Sequence, residues 1–202
     1  MTRIAAVILA GGKGQRLGGA NKALLTLGNE RFLDRALAVT EGCAPRLLAI
    51  GQNRIEVPGD VIPIADLDTD YAGPLAGVAA AVAELNGDAA ELLLTLAVDT
   101  PLFPTDFVAR ALPLLDRYPA VLAAYGGQDY PTNALWRLEA IAHLPTDVRA
   151  GTAPRSLMRL AEGIGATRID YAASSEIDPF RNANTPEDLS FLRFLAQQRR
   201  DR

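Results

Sequence analysis

Short apolar runs of strand length alternate along the chain with stretches in which apolar residues recur at helical spacing. The apolar runs lie at residues 4–10, 46–50, 61–65, 92–98 and 121–125. Between them, residues 32–39, 75–85 and 107–115 carry apolar residues spaced for one face of a helix, and Thr105 is the predicted N-cap of the third. Strands alternating with helices are typical of a parallel sheet with crossover helices, so the predicted fold class is α/β.

The pattern changes in the second half of the chain. The Gly126-Gly127 pair separates two short strand-like pieces, the second at residues 132–136, which predicts an antiparallel hairpin. Farther on, Thr185 and Pro186 are typical of an N-cap and a first helical position, which predicts a closing helix over residues 186–198. We therefore expect a mostly parallel sheet flanked by helices, with a small antiparallel excursion.

Composition narrows the class of protein. The chain has 202 residues, 49% of them hydrophobic, which is enough for one sizeable core, and no linker or repeat divides it, so residues 1–202 are expected to form one domain. Lys plus Arg number 20 against 24 Asp plus Glu, a balance that argues against nucleic-acid binding. The single cysteine suits a reducing cytoplasm, and no apolar run reaches the length that a membrane span needs.

A glycine-rich stretch follows the first predicted strand. Five of the nine residues at positions 11–19 are glycine, and Lys13, Arg16 and Lys22 accompany them. Glycine lets backbone N–H groups approach an anion, and the cations neutralise phosphate charge, so a nucleoside triphosphate is the predicted ligand. The stretch matches neither the dinucleotide fingerprint, because Leu17 stands where a glycine is needed, nor the P-loop. The alternative is a flexible loop whose cations face water.

Carboxylates follow two other predicted strands. Asp99 ends the apolar run at 92–98, where it is predicted to hold Mg²⁺ together with triphosphate oxygens, the alternative being a cap on the turn before Pro101. Asp66 follows the run at 61–65 and is predicted to point at the same site, whereas Asp68 and Asp70 read as a solvated loop. Gly77, one turn into the next helix, lets backbone approach a sugar or base.

These motifs together resemble the molybdenum cofactor guanylyltransferases. The matching segments are Leu9 to Gly18 with Lys22, Asp66 with the Gly73-Pro74-Leu75-Ala76-Gly77 stretch, Asp99-Thr100-Pro101, and Asn182 to Leu189. The resemblance spans nearly the whole chain. It implies a Rossmann-like nucleotidyltransferase fold that transfers GMP from GTP to the phosphate of molybdopterin with Mg²⁺, releasing pyrophosphate. It further implies a nucleotide-binding half at about 1–104, an acceptor half at about 105–202, and transient contacts with proteins that deliver or receive the cofactor.

The resemblance also implies roles for individual residues. Leu9, Ala10 and Gly11 would contact guanine, Lys22 a phosphate, Asp66 the nucleotide, Asp99 the metal, and Asn182 and Asn184 the acceptor. The family often has a nucleotide-contacting Asn after the second strand, where this chain has Gly51, so Gly51 backbone or Asn53 is expected to replace that contact. Gly12 is predicted to admit a purine.

Catalysis without a protein nucleophile is consistent with these residues. The acceptor phosphate is already ionised at neutral pH, so Lys13, Arg16 and Lys22 with the metal on Asp99 would act by positioning and charge neutralisation. The alternatives that remain are a cytidylyltransferase for the same pterin, which typically has Ala in place of Gly12, another small-molecule nucleotidyltransferase, and a nucleotide sensor without activity.

Overall fold

A seven-stranded sheet forms the centre of the computed structural model, which describes residues 2–11, 21–51, 55–67, 71 and 73–198. The strands of the chain are β1 (Ile4–Leu9), β2 (Thr26–Leu27), β3 (Glu30–Arg31), β4 (Arg46–Ala49), β5 (Val61–Ile64), β6 (Leu92–Ala97), β7 (Ala120–Tyr125), β8 (Gln128–Arg137) and β9 (Thr167–Asp170). The helices are α1 (Phe32–Val39), α2 (Pro74–Glu84), α3 (Phe107–Ala111), α4 (Leu138–Ile141), α5 (Leu144–Ala150), α6 (Leu157–Ile164) and α7 (Pro186–Gln198).

The sheet is mostly parallel, as predicted. Its strand order is β5-β4-β1-β6-β8-β7-β9, and only β8 runs against its neighbours β6 and β7. Strands β2 and β3 form a separate antiparallel pair. Among the described residues, no helix has the length and apolarity to cross a bilayer.

Helices cover both faces of the sheet, which explains why the strands are continuously apolar. Alternate residues of β1 point to opposite faces, so Ala6 and Ile8 join one core cluster and Ala5 and Val7 the other. The first cluster includes buried residues of α1, α3 and α7, and the second includes those of α2, α4, α5 and α6. The sheet is thereby fixed between two packed layers, and its carboxyl edge is a rigid platform.

The predicted hairpin is confirmed, and it contains a bulge. Gly126 and Gly127 both have positive φ, 58° and 83°, as a tight hairpin turn of this kind requires. The β7–β8 register then moves from Leu122 opposite Ala134 to Ala123 opposite Tyr130. Residues 131–133 are therefore extra on β8, and they leave the ladder near the end of β6.

Several details of the predicted elements are wrong. Thr105 does not cap α3, because Asp106 occupies the N-cap position. The helix is also shorter than the apolar spacing indicates: Pro113 has no N–H to donate, and the chain tightens into a 3₁₀ segment over Leu112–Asp116.

The closing helix α7 is confirmed, with Thr185 Oγ1 accepting from the Asp188 N–H at 3.1 Å. Strand β9 and helices α4 to α6 were not predicted.

Candidate active site

The carboxyl ends of four parallel strands meet at one edge of the sheet. Leu9, the last residue of β1, pairs with Ala49 of β4 and Ala97 of β6, and Ala49 pairs with Ile64 of β5. The residues that follow these strands are therefore brought together, at the edge where open α/β sheets bind ligands. A cavity of about 240 Å³ lies there.

Most of the predicted site residues that the structure describes meet around this cavity. Those in its lining are Leu9, Gly11, Lys22, Asp66, Asp99 and Asn182. Gly51 lies beside them, since a Cβ added to it would stand 3.5 Å from Asp66 Oδ2. Ala10 does not line the cavity: its side chain is buried in the core, and its N–H donates to the Ala49 carbonyl at 2.8 Å. Gly12, Lys13, Arg16, Asn53, Asp68 and Asp70 lie outside the described residues.

Lys22 joins two distant segments of the chain. Its Nζ donates to Asp99 Oδ2 at 2.7 Å and to Asn184 Oδ1 at 2.5 Å. The side chains of Lys22 and Asp99 are only 13% and 17% exposed, so water screens this ion pair less than a surface pair. Asn184 does not line the cavity, and its amide oxygen is directed at Lys22. The structure thus groups Asn184 with the predicted phosphate lysine.

The oxygens around Lys22 are of a kind that Mg²⁺ accepts. Asp99 Oδ2 and Asn184 Oδ1 converge on one ammonium group, and both are hard oxygen donors. Within the described part of the chain, no three His, Cys, Asp or Glu side chains come together as a metal cluster. Because Mg²⁺ is usually held by one or two carboxylates plus substrate phosphates, a single carboxylate beside the predicted phosphate lysine fits this mode of binding.

Asp66 stands at the rim of the cavity, opposite the backbone of two glycines. Its Oδ2 lies near Gly51, and its Oδ1 would be 3.9 Å from a Cβ on Gly77. The residue remains exposed overall. Partial desolvation of the carboxyl against this wall raises the pKa of Asp66 above its ordinary value. Asp66 therefore contributes a carboxylate to the lining of the cavity.

The N-terminus of α2 forms another part of the lining. Gly73, the N-cap, has φ 80° and ψ −156°, a conformation that glycine alone adopts readily, and Pro74 begins the helix. Gly77 packs so closely that an added Cβ would be 3.0 Å from Leu9 Cδ2 and 3.3 Å from Ala49 Cβ. Pro74 has no N–H to offer a ligand, and the N–H groups of Ala76 and Gly77 donate to the Gly73 carbonyl at 3.1 Å and 3.4 Å, so this end of α2 contributes shape to the lining.

The β8 bulge supplies two further residues at this edge of the sheet. Thr132 lines the cavity, and the buried Asn133 accepts from the Ala97 N–H at 2.9 Å and from Thr100 Oγ1 at 3.3 Å through its Oδ1. Its Nδ2 is buried without a hydrogen-bond partner among the described residues, as is Asn182 Oδ1. The proline at position 131, inside a strand pattern, is the sequence signal that could have indicated the bulge.

Neither cysteine nor histidine contributes to the described lining of the cavity. Cys43 is the only cysteine and His143 the only histidine of the chain. Cys43 packs against the core, and burial raises the pKa of its thiol, which keeps it protonated. His143 is an exposed residue at the N-cap of α5.

Comparison with known proteins identifies close relatives over nearly the whole length. The model of the family "MobA-like NTP transferase domain" matches residues 6–166. A molybdenum cofactor guanylyltransferase from Acidiphilium cryptum is 37% identical over 93% of this chain and 93% of its own length. A protein of the same name from Rhodobacter capsulatus is 36% identical over 93% of this chain and 94% of its own.

Solved structures share the fold at lower identity. Molybdopterin-guanine dinucleotide biosynthesis protein A from Archaeoglobus fulgidus superposes with a TM-score of 0.70 at 20% identity, covering 96% of this chain and 99% of its own. The 2-C-methyl-D-erythritol 4-phosphate cytidylyltransferase from Thermus thermophilus gives 0.68 at 19% identity, covering 97% and 100%. At these identities the likeness concerns the fold alone.

Proposed function

Because this chain belongs to the family of MobA-like NTP transferase domains, we propose that it transfers the GMP moiety of GTP to the phosphate of molybdopterin. An oxygen of the acceptor phosphate attacks the α-phosphorus of GTP. The bond from the α-phosphorus to the bridging oxygen breaks, and pyrophosphate leaves with the electron pair. The named relatives at 36–37% identity support the choice of GTP and molybdopterin.

One observation carries the proposal: Lys22 and Asp99, which are 77 positions apart in the sequence, form an ion pair in the lining of the cavity at the carboxyl edge of the sheet. A cation beside a carboxylate at this position suits a triphosphate and its divalent ion. Lys22 would neutralise charge on the triphosphate. Lys13 and Arg16 belong to the same proposed set through the sequence motif.

The nucleotide's base and sugar belong to the other side of the cavity. Leu9 and Gly11, which line the cavity, are proposed to contact guanine, and Gly12 to leave room for a purine. Asp66, whose carboxylate faces the cavity wall, is proposed to accept hydrogen bonds from the nucleotide, with Gly51 beside it. Both assignments place the nucleotide where helix α2, at Gly77, packs closely against Leu9 at the end of β1 and Ala49 at the end of β4.

The acceptor is proposed to bind near Asn182. This side chain lines the cavity and has a buried oxygen without a donor among the described residues, which a pterin N–H could supply. The sequence also predicts Asn184 as an acceptor-binding residue. Its Oδ1 accepts a hydrogen bond from Lys22 Nζ, which favours a role in positioning the Lys22 side chain instead. The proposal also includes a cytoplasmic location and transient contacts with proteins that deliver molybdopterin or receive the product.

Mg²⁺ is the proposed cofactor, with Asp99 as its carboxylate ligand and Asn184 Oδ1 as a nearby oxygen. When bound, it would supply charge neutralisation to the triphosphate during transfer. The protein's own residues would orient the two substrates and leave the acceptor phosphate free to attack.

The direct test is pyrophosphate release from each of GTP, CTP, ATP and UTP in turn, with molybdopterin and Mg²⁺. We expect release with GTP only, and only when molybdopterin is present. Asp99→Asn should lower the rate by about 100-fold or more, since neutral amides hold Mg²⁺ poorly. Asp60→Asn, at an exposed carboxylate paired with Arg46, is the matched control and should keep the rate.

The alternatives differ in outcome. Release with CTP instead of GTP would make the protein a cytidylyltransferase for the same acceptor. Binding of GTP without release, with any acceptor, would identify a nucleotide sensor. A normal rate in Asp99→Asn would remove this carboxylate from the mechanism.

A further inference from the structure

One carboxylate is available to two cations at the centre of the site. The Lys22 ammonium lies between Asp99 Oδ2 and Asn184 Oδ1, 2.7 Å and 2.5 Å away. These are the oxygens that the proposed Mg²⁺ site would use. We propose that Lys22 acts as a stand-in cation in the nucleotide-free protein, so that a divalent ion enters only together with the triphosphate. This inference rests on the proposed function, because it concerns the same metal site.

The charge of Lys22 opposes binding of a second cation at Asp99. Asp99 is the only ion-pair partner of Lys22 among the described residues, and no cluster of three or more acidic, His or Cys groups lies there to share a second cation. A divalent ion on Asp99 would stand within a few ångströms of the ammonium, and in this partly buried place the repulsion is weakly screened. Binding of the ion alone is therefore disfavoured.

The rigidity of the oxygen donors is the second argument. Asp99 follows the buried strand β6, and its carbonyl accepts from the Ala183 N–H at 3.0 Å. The backbone of Asn184 is tied to Asp188, whose Oδ2 accepts its N–H at 3.2 Å. The lysine, in contrast, reaches the oxygens through four flexible methylene groups. The movable part of the arrangement is therefore the ammonium.

The triphosphate resolves the competition. Its oxygens give Lys22 a new anionic partner, and they add ligands for the divalent ion, which leaves the Asp99 carboxylate to that ion. Neither charge is then buried without a partner. The lysine moves from carboxylate to phosphate as the substrate and its ion arrive together.

The test measures Mn²⁺ binding to the full-length, nucleotide-free protein, by the electron paramagnetic resonance signal of free Mn²⁺. Lys22→Met should bind Mn²⁺ at least about tenfold more tightly than the unchanged protein, because it removes the competing charge. Lys22→Arg keeps the charge and should not. Arg159→Met removes one positive charge from an exposed helical pair with Glu162, so it controls for net charge and should also leave binding unchanged.

A second pair of measurements locates the ion. Lys22→Met/Asp99→Asn should lose the gain, which identifies Asp99 as the ligand. The unchanged protein should bind Mn²⁺ tightly once a GTP analogue with a methylene bridge between the α- and β-phosphorus is added. Melting curves confirm that each variant is folded, and Lys22→Gln replaces Lys22→Met if the latter does not fold.

The outcomes separate the inference from the function. If Lys22→Met and Lys22→Gln bind Mn²⁺ no better than the unchanged protein, while the analogue does promote binding, the stand-in role is wrong and the metal site remains. If Mn²⁺ binds in none of these states, both the metal site and the inference fail. If the unchanged protein binds Mn²⁺ as tightly without the analogue as with it, Lys22 does not exclude the ion.

Discussion

Gly77 is a residue at which helix α2 packs tightly against the strand ends below the cavity. An added Cβ would stand 3.0 Å from Leu9 Cδ2 and 3.3 Å from Ala49 Cβ, closer than packed carbons normally approach. Leu9 also lines the cavity. A side chain added at Gly77 would therefore displace Leu9 at the proposed base site. A substitution at Gly77 should thus change both the packing of α2 and the binding of the ligand.

Alanine substitutions at two helical glycines separate the effect of helix propensity from the effect of close packing at Gly77. Gly163→Ala, in α6 where an added Cβ meets nothing within 4 Å, should raise the free energy of unfolding by about 0.5–1 kcal/mol through helix propensity. Gly77→Ala should lose that gain to overpacking of about 1–3 kcal/mol and weaken Mg-GTP binding as Leu9 is displaced. Urea unfolding and nucleotide titration measure the two effects. Equal stabilisation by both substitutions, with unchanged GTP affinity, would contradict the close packing of Gly77.

Residues that could be predicted are those whose role is visible from their neighbours in the chain. Asp66 and Asp99 each follow an apolar run, and strand ends of a parallel sheet share an edge, so their convergence follows from pattern alone. Asn133 is different. Its side chain completes the end of β6 only because of a bulge in β8, and that pairing joins residues 36 positions apart. Single-sequence patterns carry no such long-range register.

At the scale of elements, the end of β9 holds the tip of the β7–β8 hairpin. Asp170 Oδ1 accepts from the Gly126 N–H and its Oδ2 from the Gly127 N–H, both at 2.9 Å. A further N–H, from Ala172, donates to Oδ1. These backbone donors, first those of Ala172 and Gly127, lower the pKa of the Asp170 carboxyl. The carboxylate thus links two elements that the sequence analysis did not connect.

The sign of the pH dependence follows from the lowered pKa. The carboxylate stabilises the fold fully above its ordinary pKa of about 4, and this contribution is lost as the pH falls through the lower folded value. Asp170→Asn should therefore lower the melting temperature at pH 7, and the difference from the unchanged protein should shrink below about pH 4. Asp116→Asn, at an exposed carboxyl, is the control. A constant difference across the pH range would show that the amide disturbs packing and not charge.

The elements that were predicted and those that were not differ in their signals. The hairpin was accessible because Gly126 and Gly127 mark its turn, and α7 because Thr185 and Pro186 mark its start. Helix α4 has only four residues, and α5 begins with Leu144-Pro145 after a break of two residues, so no long helical period forms. Strand β9 has one buried residue, Ile169, and three that are not. Such short elements depend on the sheet they join.

At the scale of the whole molecule, the site is assembled from segments that are far apart in sequence. Lys22 contacts Asn184 across 162 positions, and the Ala183 N–H donates to the Asp99 carbonyl. The segment at residues 182–184, before α7, thereby lies beside the cavity, with Asn182 in its lining. The prediction that residues 1–202 form one domain stays a prediction. The contact of Asn184 with Lys22 could not be read from the sequence, because its final position depends on how α7 packs.

Asn182 offers a test of the proposed division into a nucleotide-binding half and an acceptor half. Its Oδ1 is buried at the cavity without a donor among the described residues, and such an acceptor costs about 1–3 kcal/mol in the unliganded protein. Asn182→Ala removes the unpaired oxygen, so it should leave the melting temperature unchanged or raise it. Asn133→Ala is the matched control. It leaves the Ala97 N–H without its acceptor and should lower the free energy of unfolding by about 1–3 kcal/mol.

Ligand binding completes the comparison. If Asn182 receives a hydrogen bond from the pterin, Asn182→Ala should weaken molybdopterin binding by about tenfold, the loss of one buried hydrogen bond, while Mg-GTP affinity stays the same. Fluorescence titration with the pterin and calorimetry with Mg-GTP measure the two affinities separately. If Asn182→Ala instead melts at a lower temperature and loses affinity for both ligands, the Asn182 side chain stabilises the segment before α7. The acceptor must then bind elsewhere. Weaker Mg-GTP binding alone would assign Asn182 to the nucleotide. The boundary between the two proposed halves would then lie after residue 182.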